Sequence, residues 1–114
     1  MKYAFTGQSK TVNGVTVRQI KRISDGVIGG WIESEKNLDL RDSCFVSGNA
    51  CVFGDARVYG NALVFGDAWV YGNASVSGNA RVFGDACVYG NALVSGDAWV
   101  FGNASVYGND LITD

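Results

Sequence analysis

"VYGNASVSGNARVFGDACVYGNA", residues 70–92, states one pattern four times: Val, a variable residue, Gly, Asn or Asp, Ala, a variable residue. Aligned on its aliphatic position, the repeat runs through Val46, Val52, Val58, Val64, Val70, Val76, Val82, Val88, Val94, Val100, Val106 and Ile112, and Leu40 extends it backwards. Two residues before each stands a small residue, first Cys44, then Ala50, Ala56 and so on to Ala104. Six residues of α-helix rotate the chain by about 600°, which leaves each repeat roughly 120° out of line with the last. A helix cannot collect these residues on one face.

In extended chain, alternate side chains share a face, so Ala and Val two apart point one way and their neighbours the other. Each repeat therefore reads as a short strand, Ala-x-Val-x, followed by a Gly-Asn or Gly-Asp bend. Gly accepts left-handed backbone, and Asn and Asp are the other residues most tolerant of it. A bend after every strand winds the chain into a coil. Three strands per turn bring it back above itself after eighteen residues, with Val stacked on Val at about 4.8 Å. Residues 38–113 make a little over four such turns, around an interior of Val and Ala alone. The expected fold is all-β, a parallel β-helix solenoid.

The Val-x-Gly-(Asn/Asp)-Ala-x run resembles the hexapeptide-repeat proteins, and the resemblance implies a left-handed parallel β-helix of triangular section. The segments "KYAFTG", "KTVNG" and "GGWIESEKNL" look like the opening of a group of phage and prophage hexapeptide proteins often labelled transferases. From that resemblance follow a homo-oligomer, with a trimer favoured, and a host-cytoplasm setting. One departure stands within the pattern: hexapeptide families often place Gly just after the aliphatic residue, where this chain has Phe, Tyr or Ser.

Residues 1–27 do not obey the period and read as an N-terminal β-hairpin cap on the coil of residues 28–114. Asn13-Gly14 between two β-branched runs is a strong hairpin signal, predicting strands over roughly 2–12 and 15–23. Residues 25–40 form a Gly-broken transition, with Ile28, Ile32, Leu38 and Leu40 expected inward and Trp31 expected to plug the end. At the other end, "NDLITD" keeps the period running, with Val106 and Ile112 expected open to solvent. Asp110 and Asp114 there complement the basic hairpin, so end-to-end stacking of coils is an expectation.

The 114-residue chain holds no stretch near the roughly 20 apolar residues of a membrane span, and no signal-peptide pattern. A formal charge of −2 gives no footprint for nucleic acid or an anionic membrane. Three cysteines, Cys44, Cys51 and Cys87, have no metal-ligand spacing and fit a reducing, cytoplasmic compartment.

With an aliphatic interior, function must lie outside the coil. Position within the turn sorts the outward residues onto three sides. The first carries Phe65, Phe83 and Phe101 beside Leu63, Arg81 and Trp99. The second carries Phe53, Tyr71, Tyr89 and Tyr107 beside Cys51, Trp69, Cys87 and Ser105. The third, plainer side carries Tyr59, Ser77, Ser95 and Thr113 beside Arg57, Ser75, Leu93 and Leu111. Two aromatic columns exceed the apolar patch a monomer normally exposes, so both are expected to be covered by other copies.

Hexapeptide acyltransferases and the carbonic anhydrases of that fold rely on histidine, and this chain has none. Asp67 and Asp85 stack on one corner, but a corner Asp is first a turn residue. No phosphate-loop or dinucleotide fingerprint is present. The reading is therefore a non-catalytic, self-assembling structural or binding module with no catalytic residue, metal or cofactor. Two alternatives accompany it. One is a nucleotide-sequestering protein that counters host defence, using Arg57, Arg81, Lys21 and Arg22 for phosphate. The other is an acyltransferase with displaced catalytic groups.

Overall fold

The computed structural model describes residues 2–41 and 43–113, so the expectation at Asp114 lies outside the described residues. Strands β1 (Tyr3–Val12) and β2 (Val15–Arg22) form an antiparallel hairpin, and β3 (Ile28–Ile32) follows. Its tight turn places Asn13 at φ 52° and Gly14 at φ 77°, the two positive angles its length demands. A 3-10 turn spans Glu35–Asn37. Two-residue strands then recur every six residues, from β4 (Phe45–Val46), β5 (Cys51–Val52) and β6 (Arg57–Val58) to β15 (Leu111–Ile112).

The strands stack into three parallel sheets, one per side. Arg81 pairs with Leu63 and Trp99, Cys87 with Trp69 and Ser105, and Leu93 with Ser75 and Leu111, each eighteen residues apart. This is a parallel β-solenoid of three strands and about eighteen residues per turn. Pairing continues round the corners: the Phe65 N–H donates to Val82 O and the Asp67 N–H to Gly84 O, both at 2.9 Å. The backbone is thus satisfied between strands as well as within them. Every Val from Val46 to Val94 is fully buried, with Val100 and Val106 at 4% and 6% exposure and Ile112 half-buried. Val106 is therefore closed rather than open, because its own neighbours in the turn suffice to cover it.

The bend belongs to the glycine alone. Gly78 takes φ +65°, and the Ala80 N–H closes the turn on Ser77 O at 3.2 Å, the sign pattern of a type II′ turn. A Cβ on Gly78 would also lie 2.8 Å from the Gly96 nitrogen of the next turn. The Asn and Asp that follow have a different task. Asn61 Nδ2 donates to Asn79 Oδ1 at 3.4 Å, and Asn79 Nδ2 to Asp97 Oδ1 at 3.2 Å, a side-chain ladder up one corner.

The N-terminal end departs from the period. Ile32 pairs with Val52 and Leu38 bridges Val58, twenty residues apart, whereas Val46 pairs with Val64 at the regular eighteen. Two extra residues lie between Leu38 and Val46. Leu40, expected inward, is consequently 43% exposed, and Leu38 fills its place. Ile28, also expected inward, is 52% exposed at the start of β3. Gly29 and Gly30 press β3 onto the first turn: a Cβ at Gly29 would stand 2.8 Å from Val46 O, and one at Gly30 2.7 Å from Ala50 O. The buried Tyr3, Ile20 and Phe45, not Trp31, close the end of the core. Trp31 pairs with Cys51 on the second side, under the Lys10 ammonium at 4.5 Å.

The hairpin does more than cap. It extends the second side into one seven-stranded sheet, with β2 antiparallel to β3 and β3 parallel to β5. Register shifts interrupt β1 between Phe5 and Ser9 and β2 between Gln19 and Lys21. Alternation along the strands decides the faces, since Tyr3 and Val12 stand nine residues apart and Ile20 and Val17 three. Tyr3 and Ile20 accordingly join the interior core, while Val12 and Val17 join a second cluster with Cys51 and Phe53 outside the coil.

Candidate functional site

On the first side, Phe65 and Phe83 stack with centroids 4.9 Å apart and Phe83 and Phe101 at 5.4 Å, with Trp99 edge-on to Phe83 at 5.8 Å. Strand spacing imposes this distance, and offset stacking suits the ring quadrupoles. The upper end is closed within the chain, since Phe45 is buried beneath the Arg22 guanidinium at 4.9 Å. The lower end is open: Trp99 is 59% and Phe101 55% exposed.

The second column is equally regular, with Phe53–Tyr71 at 5.0 Å, Tyr71–Tyr89 at 5.1 Å and Tyr89–Tyr107 at 5.4 Å. Here the expectation of an intermolecular cover needs correction. Phe53 is buried by the chain's own hairpin, and Trp69 and Tyr71 pack against the same cluster of Val12, Val15 and Val17. The lower half, ending in the exposed Tyr107, remains uncovered. Desolvation raises the Tyr71 phenol above its ordinary value.

The residues expected to contact phosphate do not converge. Arg57 lines an open groove of about 950 Å³ between residues 35–41 and the third side, together with Leu40, Arg41, Tyr59 and Asn73. Arg81 is exposed on the first side, beside the Phe83 column. Arg22 pairs with Asp25 at 2.9 Å, and its guanidinium holds the Asp25 carboxyl below the usual range. Lys21 is exposed on the hairpin. In the groove, Lys36 pairs with Asp55 at 2.7 Å and Arg41 with Asp39 at 3.1 Å, and each partner lowers its carboxylate's pKa.

Cys51 and Cys87 stand on one side with Trp69 between them in register. Burial raises the Cys51 thiol, opposed by the Lys10 charge, a cationic neighbour the sequence did not disclose. Burial and then Asp85 raise Cys87. Among the described residues no three His, Cys, Asp or Glu side chains gather as metal ligands, and no helix is long and apolar enough to cross a membrane.

Two residues invisible to the period organise the entry to the coil. Asn37 is fully buried; its Oδ1 accepts from the Glu33 and Ser34 N–H groups at 3.1 and 2.9 Å, and its Nδ2 donates to Gly54 O and Ala56 O at 3.2 and 2.8 Å. Glu33 Oε1 accepts from the Gly54 N–H at 2.8 Å. Both supply side-chain partners for a corner of the first full turn. The signal available in sequence was the interruption itself, "ESEKNL", a polar run where the repeat should begin.

These features define a β-solenoid repeat protein with aromatic sides. A family model described as the YdcK beta solenoid repeat matches residues 56–72 and 86–102, each about one turn of the coil. No curated protein matches the chain.

Proposed function

We propose that this protein is a non-catalytic β-solenoid that assembles with copies of itself and serves as a structural or binding module. The observation that carries the reading is the lower first side, where Trp99 and Phe101 stand more than half exposed beside the stacked Phe65 and Phe83. Aromatic side chains present about 150–250 Å² each, so the open parts of these rings amount to a patch on the order of a few hundred Å². Such patches on soluble domains are generally contact surfaces. Arg81 borders the column, and a neighbouring copy packed on this side would offer that guanidinium an aromatic ring, a favourable cation–π neighbour. The resemblance to hexapeptide proteins favours a trimer, and that of the opening segments to phage and prophage proteins favours the host cytoplasm. The absence of histidine from the sequence supports a role without acid–base catalysis near neutral pH.

Substituting Trp99→Ser and Phe101→Ser together tests the reading, because both rings are exposed in the single chain and their loss should leave the coil intact. Sedimentation of the parent chain should show an oligomer at tens of micromolar, and the double variant should shift toward monomer with unchanged circular dichroism. A monomeric parent would overturn the proposal.

The groove beside Arg57 and the 39%-exposed Tyr59 favours a second reading, a site for a small anionic ligand with a ring to lay on the tyrosine. A nucleotide panel that raises the melting temperature of the parent but not of Arg57→Ala would establish it.

A further inference from the structure

The repeat places Ala two residues before each aliphatic position from Val52 to Val106, yet at the first of these small positions stands Cys44. Its sulfur is not in a purely apolar setting. Lys2 Nζ lies 3.1 Å from Cys44 Sγ, and the Asp39 and Val58 carbonyls are at 3.5 and 3.6 Å from it. Both backbones are anchored independently of this contact. The Ile23 N–H donates to Lys2 O at 3.0 Å within the hairpin, and the Cys44 N–H donates to Gly60 O at 3.1 Å within the coil. The amine and the thiol are thus held at bonding range from two separate parts of the fold. A pocket of about 350 Å³, lined by Lys2, Arg22, Ser24, Cys44 and Phe45, opens beside them, while Cys44 itself is fully buried, so a small oxidant reaches the sulfur as this end of the hairpin opens locally.

We propose that Lys2 and Cys44 form a reversible covalent cross-link, a sulfenamide, when the protein meets hydrogen peroxide. In the first step the Cys44 sulfur attacks peroxide: the O–O bond breaks, an S–O bond forms, and the departing oxygen leaves as water with the thiol proton. The product is a sulfenic acid, the first rung of thiol oxidation and one that condenses with nitrogen nucleophiles. In the second step the Lys2 amine, having released its ammonium proton, attacks that sulfur. An S–N bond forms, the S–O bond breaks, and hydroxide leaves with an amine proton as water. Sulfur loses two electrons in all, and both peroxide oxygens end in water. A thiol reductant reverses the link by attack on sulfur. The bond would tie the start of the hairpin to the first regular turn of the coil, locking the cover over that end of the core.

The test uses the full chain, treated with hydrogen peroxide and digested with trypsin. The expected product joins the peptide ending at Lys10 to residues 42–57, about 2 Da below the sum of the two, and disappears on treatment with dithiothreitol. Cys44→Ser and Lys2→Arg should each abolish it, the latter while keeping a cation beside the sulfur. In urea its yield should fall at least tenfold, since proximity drives it. The proposal is overturned if the folded chain yields only higher oxidation of Cys44 or a disulfide to Cys51. It is equally overturned if the joined peptides persist in Lys2→Arg or form as readily in urea.

Discussion

Phe53 and Tyr71 stack with centroids 5.0 Å apart and planes 1° from parallel, yet Phe53 is buried and Tyr71 only half so. The difference is the hairpin, whose Val12 and Val17 lie on Phe53 and Cys51. An aromatic column repeated identically along the coil is therefore divided into a stretch covered by its own chain and a stretch left open.

A charge at Val17 should lift that cover. Val17→Asp would place a carboxylate against Phe53, opposite Lys10, whose ammonium is already seated over Trp31, and burying it there costs more than separating the hairpin tip from the coil. Cys51 is sealed beneath the tip, at 1% exposure. In the parent, a thiol reagent at pH 8 should modify Cys87 slowly, since burial and Asp85 both raise that thiol, and Cys51 slower still. Peptide mapping of Val17→Asp should show Cys51 modified at least about tenfold faster, with the coil's circular dichroism retained. Unchanged protection of Cys51 would mean that the hairpin is held elsewhere.

Val82 tests the coil itself. It is fully buried and paired with Val64 above and Val100 below. Val82→Asp leaves a carboxylate in an aliphatic column with no partner, a change worth on the order of 4 kcal/mol or more. Thermal unfolding should show a large drop in melting temperature or no folded protein at all. The neighbouring exposed Arg81, changed to Asp, should cost little by comparison, because it faces solvent.

The contrast between those two neighbours explains how much was legible in the sequence. In the coil every inward residue and every corner glycine recurs, so periodicity alone assigns each residue to a side. At residues 28–45 it cannot. Leu38 and Leu40 are two apart and share a strand face, so the period points both inward; only Leu38 goes in. What decides is a set of long-range hydrogen bonds from Asn37 to Gly54 and Ala56, which no local pattern encodes. The aromatic columns were likewise readable from turn position. Their partial cover was not, because it depends on where the hairpin docks: it joins the second side through β3 and lays Val12 and Val17 on Phe53.

Asn37 should accordingly be among the costliest polar residues to replace. Its amide satisfies four backbone groups from within the core. Asn37→Ala would orphan the buried Ala56 carbonyl and open a void, at about 3 kcal/mol. Asn37→Asp is the sharper probe: it keeps the acceptor side toward Glu33 and Ser34 but turns a donor to Gly54 and Ala56 into a second acceptor. It should destabilise at least as much as Ala at pH 7, measured by urea unfolding, and recover in part at acidic pH as the carboxyl gains a proton.

Tyr3 ties the hairpin to the same region, and it makes stability depend on alkaline pH. The ring is buried, and the hydroxyl donates to Leu38 O at 3.3 Å and lies 3.4 Å from Glu35 O. Carbonyl acceptors favour the phenol over the phenolate. Burial above all, with the Glu35 charge next, pushes its pKa from 10.0 up to about 12. The phenol is protonated in both states below pH 10, so its contribution is fully present there. Between about pH 10 and 12 the unfolded chain loses this proton while the folded chain keeps it, so folding stability falls as pH rises through that window. At about 1.36 kcal/mol per unit, the whole effect is on the order of 2–3 kcal/mol. Tyr3→Phe removes the titrating group and the hydroxyl's hydrogen bonds together. It should be less stable than the parent at pH 8, by about 1 kcal/mol, and should lose less stability than the parent between pH 10 and 12. Urea midpoints for both proteins across that range decide the matter, since parallel falls would show that the loss comes from other tyrosines or from the lysines.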